Sequence, residues 1–356
     1  MAKALVRAGI AVTVLATDAG ITKARIDDLT DVELVLVGSL LRRFYVPRIS
    51  SAKIDDLVLQ ADIVHITGHW SVLGARVASA ARRHGKPYVF CPAGSLRIFG
   101  RSSILKRIFN KLIGYETVEK AAYCLAVTEL EREQFHEYGV ADSRIVLLPN
   151  GVNPTESGGA SGERFLRGLE LEQGAQLILF LGRLSPIKGP DLLLEAFCKV
   201  AGRYPQAHLV FAGSDEELGS KLKTQALSSE FGARIHFVGF LGGLAKHDAL
   251  AGADFLVVPS RQEAMSLVAL EAGLAGTPVL LTDQCGFNEV ERIGGGCISG
   301  VNVDSLSESL DKMLSEVATL DLMGARLKQL VLERYTWDGL TSDCLTLYEK
   351  IISKCR

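Results

Sequence analysis

An α/β protein of two domains, each a parallel sheet with helices on both faces, is the fold class this sequence predicts. Three observations carry it. Short β-branched or apolar runs alternate with helix-length stretches along the whole chain. The alternation occurs twice. Between the two occurrences lies PNGVNPTESGGASGE, 149–163, rich in Pro, Gly, Ser and Asn, which reads as a loop or hinge. The length of 356 residues agrees, since a domain takes roughly 100–200 residues.

In the first half, strands are expected at 11–16 (AVTVLA), 33–37 (ELVLV), 62–66 (DIVHI), 87–91 (PYVFC), 123–128 (YCLAVT) and 145–148 (IVLL). Helices are expected at 2–8, 52–60, 71–84, 102–120 and 129–138. In the second half, strands are expected at 176–181 (QLILFL), 207–212 (AHLVFA), 234–238 (RIHFV), 254–258 (DFLVV), 278–282 (PVLLT) and 297–299. Helices are expected at 190–203, 216–231, 243–251, 266–275, 304–333 with a break near Leu320, and 337–353. In doubly wound sheets, ligands bind outside the carboxyl ends of the strands. Two such domains facing each other would make a cleft, so the loops after strands are where chemistry is expected.

Composition narrows the function. With 48% apolar and 22% charged residues, each half can bury a core. A net charge of −2 disfavours a dedicated nucleic-acid binder. That value hides an asymmetry. Residues 1–154 carry 20 Lys and Arg against 15 Asp and Glu, whereas 155–356 carry 19 against 26. The seven cysteines are scattered and form no CxxC pair, which reads as reduced thiols in a cytoplasmic protein, not as a disulfide framework or zinc site. No apolar run reaches the 18 residues a membrane-spanning helix needs. Lys3, Arg7 and Asp18 interrupt the start, so it is not a signal peptide.

Two constellations carry chemistry. In LFLGRLSPIKGPDLLLEAF, 179–197, a buried strand ends at Gly182, and a loop with Arg183 and Lys188 leads to a helix opened by Pro190. Gly182 and Gly189 permit close backbone approach, and two cations beside a helix start suit a diphosphate. Taken alone, the pattern equally fits a solvated Arg and Lys at an ordinary βα turn. In SRQEAMSLVALEAGLAGTPVLLTD, 260–283, Glu263 lies in a loop and Glu271 lies eight residues on, inside a mostly apolar helix. A carboxylate in such a place needs partners, and a diol could donate one hydroxyl to each of its oxygens. Taken alone, the spacing equally fits one capping and one surface Glu.

Together these segments resemble the retaining glycosyltransferases of family 4, the group 1 glycosyltransferases with the GT-B fold. The residues that carry the resemblance are Gly-Arg-Leu at 182–184, Lys-Gly at 188–189, Glu-x7-Glu at 263–271 and the following AGTPV. PNGV at 149–152, VGF at 238–240 and the ending YTWDGLTSDCLTLYEKI at 335–351 fit the same family. The resemblance implies two Rossmann-like domains facing across a cleft, 1–152 on the acceptor side and 153–336 binding a nucleotide-sugar. A helix at 337–356 would cross back to the first domain. It implies that Arg183 and Lys188 hold the donor diphosphate and that Glu271 binds the ribose hydroxyls. Glu263 would contact the donor sugar, helped by the backbone N–H groups of Ala264, Met265, Ser266 and Leu267. Gly239, Phe240 and Leu241 would flank the base, and Gly213 would line the same side. Catalysis would retain anomeric configuration, with the leaving phosphate assisting the acceptor hydroxyl and positive groups stabilising the charge that develops there. The donor is a substrate, so no cofactor is implied. No Asp-x-Asp occurs, in agreement with metal-independent chemistry.

The first half departs from the family. Ala93 stands in VFCPAGSLRIFG, 89–100, where many relatives have a sugar-contacting His, although Gly94 is kept. His69, at another strand end, is the obvious substitute, although it reads as readily as an ordinary loop histidine, whereas His65 lies inside its strand and reads as packed. Met1 falls inside what relatives have as the first helix, so the first strand and its Gly-rich loop are missing. The expectation is therefore a truncated or mis-assigned start, or else another segment filling the gap; a chain that truly starts here is expected to have weak stability and low or no activity. In 97–112, Arg97, Arg101, Lys106, Arg107 and Lys111 interleave with Ile98, Phe99, Ile104, Leu105, Ile108, Phe109 and Leu112. Such a basic amphipathic helix could lie on an anionic inner membrane face or bind a lipid-diphosphate acceptor. It could equally pack on the core with a solvated basic face. The reading is thus a glycosyltransferase with a glycan or lipid-linked acceptor, in surface polysaccharide or glycoconjugate synthesis. A nucleotide-sugar 2-epimerase and a weak or inactive partner subunit remain the alternatives.

Overall fold

A computed structural model describes the chain except residues 28, 30, 42, 99–101, 172–173 and 356. It divides into two units, Met1–Asn150 with Trp337–Arg356, and Gly151–Thr336.

In the first unit, β1 (Thr13–Thr17) pairs in parallel with β2 (Glu33–Val37), and β3 (Ser39–Leu41) pairs antiparallel with β4 (Val46–Pro47). A four-stranded parallel sheet follows, in the order β5 (Val64–Thr67), β6 (Tyr88–Cys91), β7 (Tyr123–Ala126), β8 (Ile145–Leu147). Among the described residues no ladder joins β1–β2 to β5–β8. The four residues of β7 are all buried, because helices cover both faces of the sheet, which is why β7 reads as an unbroken apolar run. The period of two sorts its side chains. Cys124 and Ala126 join Phe90, Ile54, Leu73 and Phe135 on one face. Leu125 joins Val89, Leu5 and Leu148 on the other, under Leu340, Cys344, Leu347, Tyr348 and Ile351 of the helix Trp337–Cys355. His65 on β5 meets that helix, its Nδ1 2.6 Å from the Tyr348 hydroxyl. Ser50 and Ser71 cap the helices Ser51–Gln60 and Val72–Arg83 by accepting the N–H groups of Lys53 and Gly74.

The second unit holds one six-stranded parallel sheet. Its strands are β9 (Gln176–Leu181), β10 (Ala207–Ala212), β11 (Ile235–Gly239), β12 (Phe255–Val258), β13 (Val279–Thr282) and β14 (Gly296–Ser299). The order is β11-β10-β9-β12-β13-β14, so chain order reverses between β9 and β12, and a ligand crevice belongs at their carboxyl ends. The core packs Phe180, Phe211 and Phe255 from the sheet against Leu193, Phe197, Leu306 and Leu310 from the helices Pro190–Val200 and Val303–Ser315.

Several elements differ from expectation, among them the short helices Lys23–Asp27 and Glu289–Arg292, which no expected helix covers. The segment 39–47 forms the β3–β4 hairpin through left-handed Phe44 and Tyr45, its strands too short to show periodicity. The expected helix 102–120 is α-helical over Ser103–Phe109 and Tyr115–Glu119 but π-helical over Asn110–Gly114. The wider turn brings Asn110 onto His69. A helix, Gly162–Gly168, overlaps the end of the expected hinge. The break expected near Leu320 falls at Glu316, where neither Pro nor Gly marks it. There the chain turns from packing on Pro190–Val200 to packing on Leu267–Ala275.

Candidate functional site

The carboxyl ends of β9, β10 and β11 lie side by side because backbone hydrogen bonds continue past the strands. Gly182 N–H donates to Ala212, Gly213 N–H to Gly239, and Leu184 N–H to Ser214, at 2.7–2.9 Å. A Cβ on Gly213 would overlap the Gly182 carbonyl oxygen, so this approach requires glycine. Gly182, Gly213 and Gly239 are thereby brought together, with Phe240 exposed beyond them and Leu241 half-buried.

After Gly182 the chain makes a tight turn, Pro186–Lys188, and enters the helix at Pro190 through Gly189. Gly189 is left-handed, with φ +67°, and a Cβ there would overlap the Pro259 carbonyl oxygen. Arg261 ties this turn to the loop after β12. Its guanidinium forks onto both Asp191 oxygens at 2.8 and 2.7 Å and also donates to Pro186 O, while its N–H donates to Ile187 O. Burial pushes the Asp191 carboxyl up, but Arg261 more than offsets it and holds the group below the usual carboxylate range. The second loop is anchored from beyond β13. Glu263 N–H donates to Gln284 O, and Ser266 N–H to Cys285 O. Ser266 opens the helix Leu267–Ala275, whose first-turn N–H groups have no partner within the helix.

The two loops converge. The Lys188 ammonium binds the Glu263 carboxylate, bridging the two constellations read from the sequence. Arg183 reaches Glu216 at 2.8 Å, and Lys246 reaches Glu271 at 2.7 Å. Every cation and carboxylate predicted for the site therefore has an internal counter-ion. Ala264 is half-buried, Met265 and Ser266 are buried, and Leu267 is exposed. Around the same loops, the hydroxyls of Ser185, Ser260 and Ser266 and one oxygen of Glu263 are buried with no hydrogen-bond partner among the described residues. Buried polar atoms are normally paired, so these four can each take a further polar partner. An apolar cavity of about 510 Å³ lies elsewhere, lined by Phe165, Leu169, Val238 and Leu244 and by none of these charged groups. Among the described residues no cluster of three or more His, Cys, Asp or Glu could hold a metal ion.

In the first unit, His69 and the Ala93–Gly94 turn follow β5 and β6. They are linked by Ser95, whose hydroxyl accepts the His69 N–H at 2.9 Å. Ala93 is exposed and left-handed, with φ +48°, and Gly94 has φ +82°. His69 is only 3% exposed, its ring enclosed by Trp70, Phe90, Phe109 and Tyr138. Its Nε2 donates to Asn110 Oδ1 at 2.6 Å, while Asn110 donates to the Tyr138 hydroxyl. Burial pushes the imidazole down to about 4, so it is neutral at pH 7, and Nδ1 has no partner.

Sequence reading missed Glu131. It is 1% exposed and receives the N–H groups of Gly94 and Val127, so it holds the Ala93–Gly94 turn in place. Burial raises its pKa. Glu216, Lys246, Arg261 and Asp191 were missed as well. Their partners lie 25–70 residues away, beyond any local pattern. Arg261 and Asp191 carried a signal, since each sits inside one of the two constellations.

Residues 163–329 match the family model described as glycosyl transferases group 1, and residues 1–156 match that described as glycosyltransferase family 4. An uncharacterized glycosyltransferase of Methanocaldococcus jannaschii is 29% identical over 241 residues, 65% of this chain and 61% of that protein. A D-inositol 3-phosphate glycosyltransferase of Jonesia denitrificans is 26% identical over 257 residues, 67% of this chain and 60% of that protein. The chain thus spans about three fifths of the length of these curated relatives. The crystal structure of Anabaena HepE in complex with UDP and glucose superposes with a TM-score of 0.78, at 15% identity, over 94% of this chain and 91% of that one. That likeness establishes the fold, two Rossmann-like domains.

Proposed function

Because this chain belongs to the group 1 glycosyltransferases of family 4, we propose that it moves a sugar from a nucleotide-diphosphate donor to a glycan or lipid-linked acceptor. One observation carries the reading. Unpaired buried polar atoms of Ser185, Ser260, Ser266 and Glu263 lie on the two loops, one of them carrying Arg183 and Lys188, that follow β9 and β12, where the sheet order reverses. The Anabaena neighbour, bound to UDP and glucose, supports a nucleotide-sugar as the occupant.

In this reading the diphosphate displaces Glu216 from Arg183 and Glu263 from Lys188. Two cations then face an anion of higher charge, which makes the exchange favourable. Glu263, released, accepts from donor-sugar hydroxyls beside the N–H groups of Ala264, Met265 and Leu267; that of Ser266, expected to join them, is taken by Cys285 O. Glu271 takes the ribose, and the backbone of Gly239–Leu241 faces the base. The sugar–phosphate C–O bond breaks as the acceptor oxygen bonds the same face, and the acceptor proton passes to the leaving phosphate oxygen, giving retention. Arg183 and Lys188 supply the positive charge at that oxygen, so no metal is required.

The first unit would supply the acceptor side, and the protein would act in the cytoplasm against the inner membrane face. Ile104, Ile108 and Leu112 are 48–71% exposed among Lys106, Arg107 and Lys111, which suits an anionic lipid surface. Phe99 and Arg101 of that stretch lie outside the described residues. No helix among the described residues is long and apolar enough to cross a membrane. One observation favours a second reading, a catalytically weak partner subunit. Ala93 offers the sugar no polar side chain, and the neighbouring His69 is enclosed.

A thermal-shift screen of UDP-, GDP-, ADP- and dTDP-sugars tests the proposal. One donor should raise Tm, because a ligand bound only by the folded state stabilises it by about 2.7 kcal/mol at a hundred times Kd. Lys188→Ala and Glu271→Ala should abolish that shift while leaving the unliganded Tm within a few degrees. A chain stabilised by none of the donors, or variants that bind like wild type, would overturn the site.

A further inference from the structure

We propose that Lys246 is the positioning residue that aims Glu271, and that the pair makes the site prefer a ribonucleoside over a 2′-deoxyribonucleoside diphosphate. The inference rests on the donor reading above and assigns a role that reading leaves empty.

Lys246 sits on the helix Gly243–Gly252, just after the Gly239–Leu241 turn, and extends to the facing helix Leu267–Ala275. Its Nζ lies 2.7 Å from Glu271 Oε1. Both side chains are about one-fifth exposed, so the pair sits at the surface with one side open to a ligand. Among the described residues Lys246 is the one group hydrogen-bonded to the Glu271 carboxylate.

The consequence follows from the freedom of a glutamate. Its last torsion is broad, so an unheld carboxylate presents its oxygens at no fixed angle. A cis-diol donates two hydrogen bonds well only if both oxygens face it together. An ammonium on Oε1 fixes that torsion, yet leaves lone pairs on each oxygen for one hydroxyl. A carboxylate arranged for two hydroxyls is left half-paired by a 2′-deoxyribose. A site built to hydrogen-bond a hydroxyl rejects the analogue that lacks it.

The test measures Kd on the full chain for UDP, ADP and GDP, each beside its 2′-deoxy form. The base with the tightest ribonucleotide serves as the probe. Wild type should prefer the ribo form by about tenfold or more, as expected for one charge-assisted hydrogen bond. Lys246→Met should cut the preference to about twofold or less, mainly by weakening the ribo form. Lys246→Arg should restore most of the preference, and Lys246→Gln serves if the Met variant fails to fold. Equal weakening of both forms would mean that Lys246 acts on the phosphates or the fold, and would overturn the inference while leaving the donor reading intact. An unchanged ratio would do the same. A wild-type chain that binds none of the three ribonucleotides would overturn both.

Discussion

At the scale of single residues, burial has turned several ionisable groups into pH-dependent contributors to stability. His65 and His69 are both pushed down to about 4 by burial, against about 6.5 for an unhindered imidazole. The unfolded chain therefore binds protons between pH 6.5 and 4 that the folded chain refuses. The stability these two groups lend is full above pH 6.5 and is lost as pH falls toward 4. Glu131 works in the opposite sense. Its raised pKa means that acid relieves part of its burial cost. Urea midpoints should thus fall between pH 6.5 and 4, and His69→Gln should flatten that fall. A variant whose pH slope matches wild type would show that the ring is protonated without penalty. The residues that the sequence singles out are those whose types announce chemistry, namely Arg183, Lys188, Glu263 and Glu271. The groups holding them were not legible, because a counter-ion such as Glu216 looks like any surface acid until folding sets it 2.8 Å from a guanidinium.

At the scale of elements, the site depends on turns more than on the helices and strands they join. The strands could be read because central parallel strands are apolar on both faces. The β3–β4 hairpin and the π-helical stretch could not, since strands of three and two residues carry no period and a π-turn changes spacing by a single residue. The Gly189 turn is the most constrained. Its left-handed backbone alone would cost a side chain roughly 1–3 kcal/mol, and the collision with Pro259 adds to that. Gly189→Ala should lower the melting temperature of the second unit and weaken donor binding together, because the turn carries Lys188. Calorimetry with and without the donor checks both. Full donor affinity in a destabilised variant would separate Lys188 from its turn. Gly114 poses a similar constraint in the first unit, where a Cβ would overlap Asn110 Oδ1 and approach the His69 ring to 3.1 Å.

At the scale of the whole molecule, the first unit is discontinuous in sequence. The helix Trp337–Cys355 buries Leu340, Cys344, Leu347, Tyr348 and Ile351 against it, and Arg7 pairs with Asp338 at 2.8 Å. The ion pair is exposed and adds little. The apolar burial matters more. At about 1.5–3 kcal/mol for each fully buried large side chain, the helix contributes on the order of 10 kcal/mol, comparable with the entire stability of a domain. Deleting residues 337–356 should therefore abolish the cooperative transition of the first unit and leave that of the second. Retention of both transitions would show that Met1–Asn150 is self-sufficient.

This arrangement also sets a timetable for biosynthesis. Chains leave the ribosome at roughly 5–20 residues per second. The second unit, Gly151–Thr336, is continuous and has all its parts once Thr336 has emerged. The first unit, although synthesised first, must then still wait for the helix that closes its core. Its apolar sheet face, with Val89, Leu125 and Leu148, stays uncovered for the roughly 10–40 seconds that those 186 intervening residues take to make. Chaperone engagement should therefore concentrate on nascent chains that end between Asn150 and Trp337.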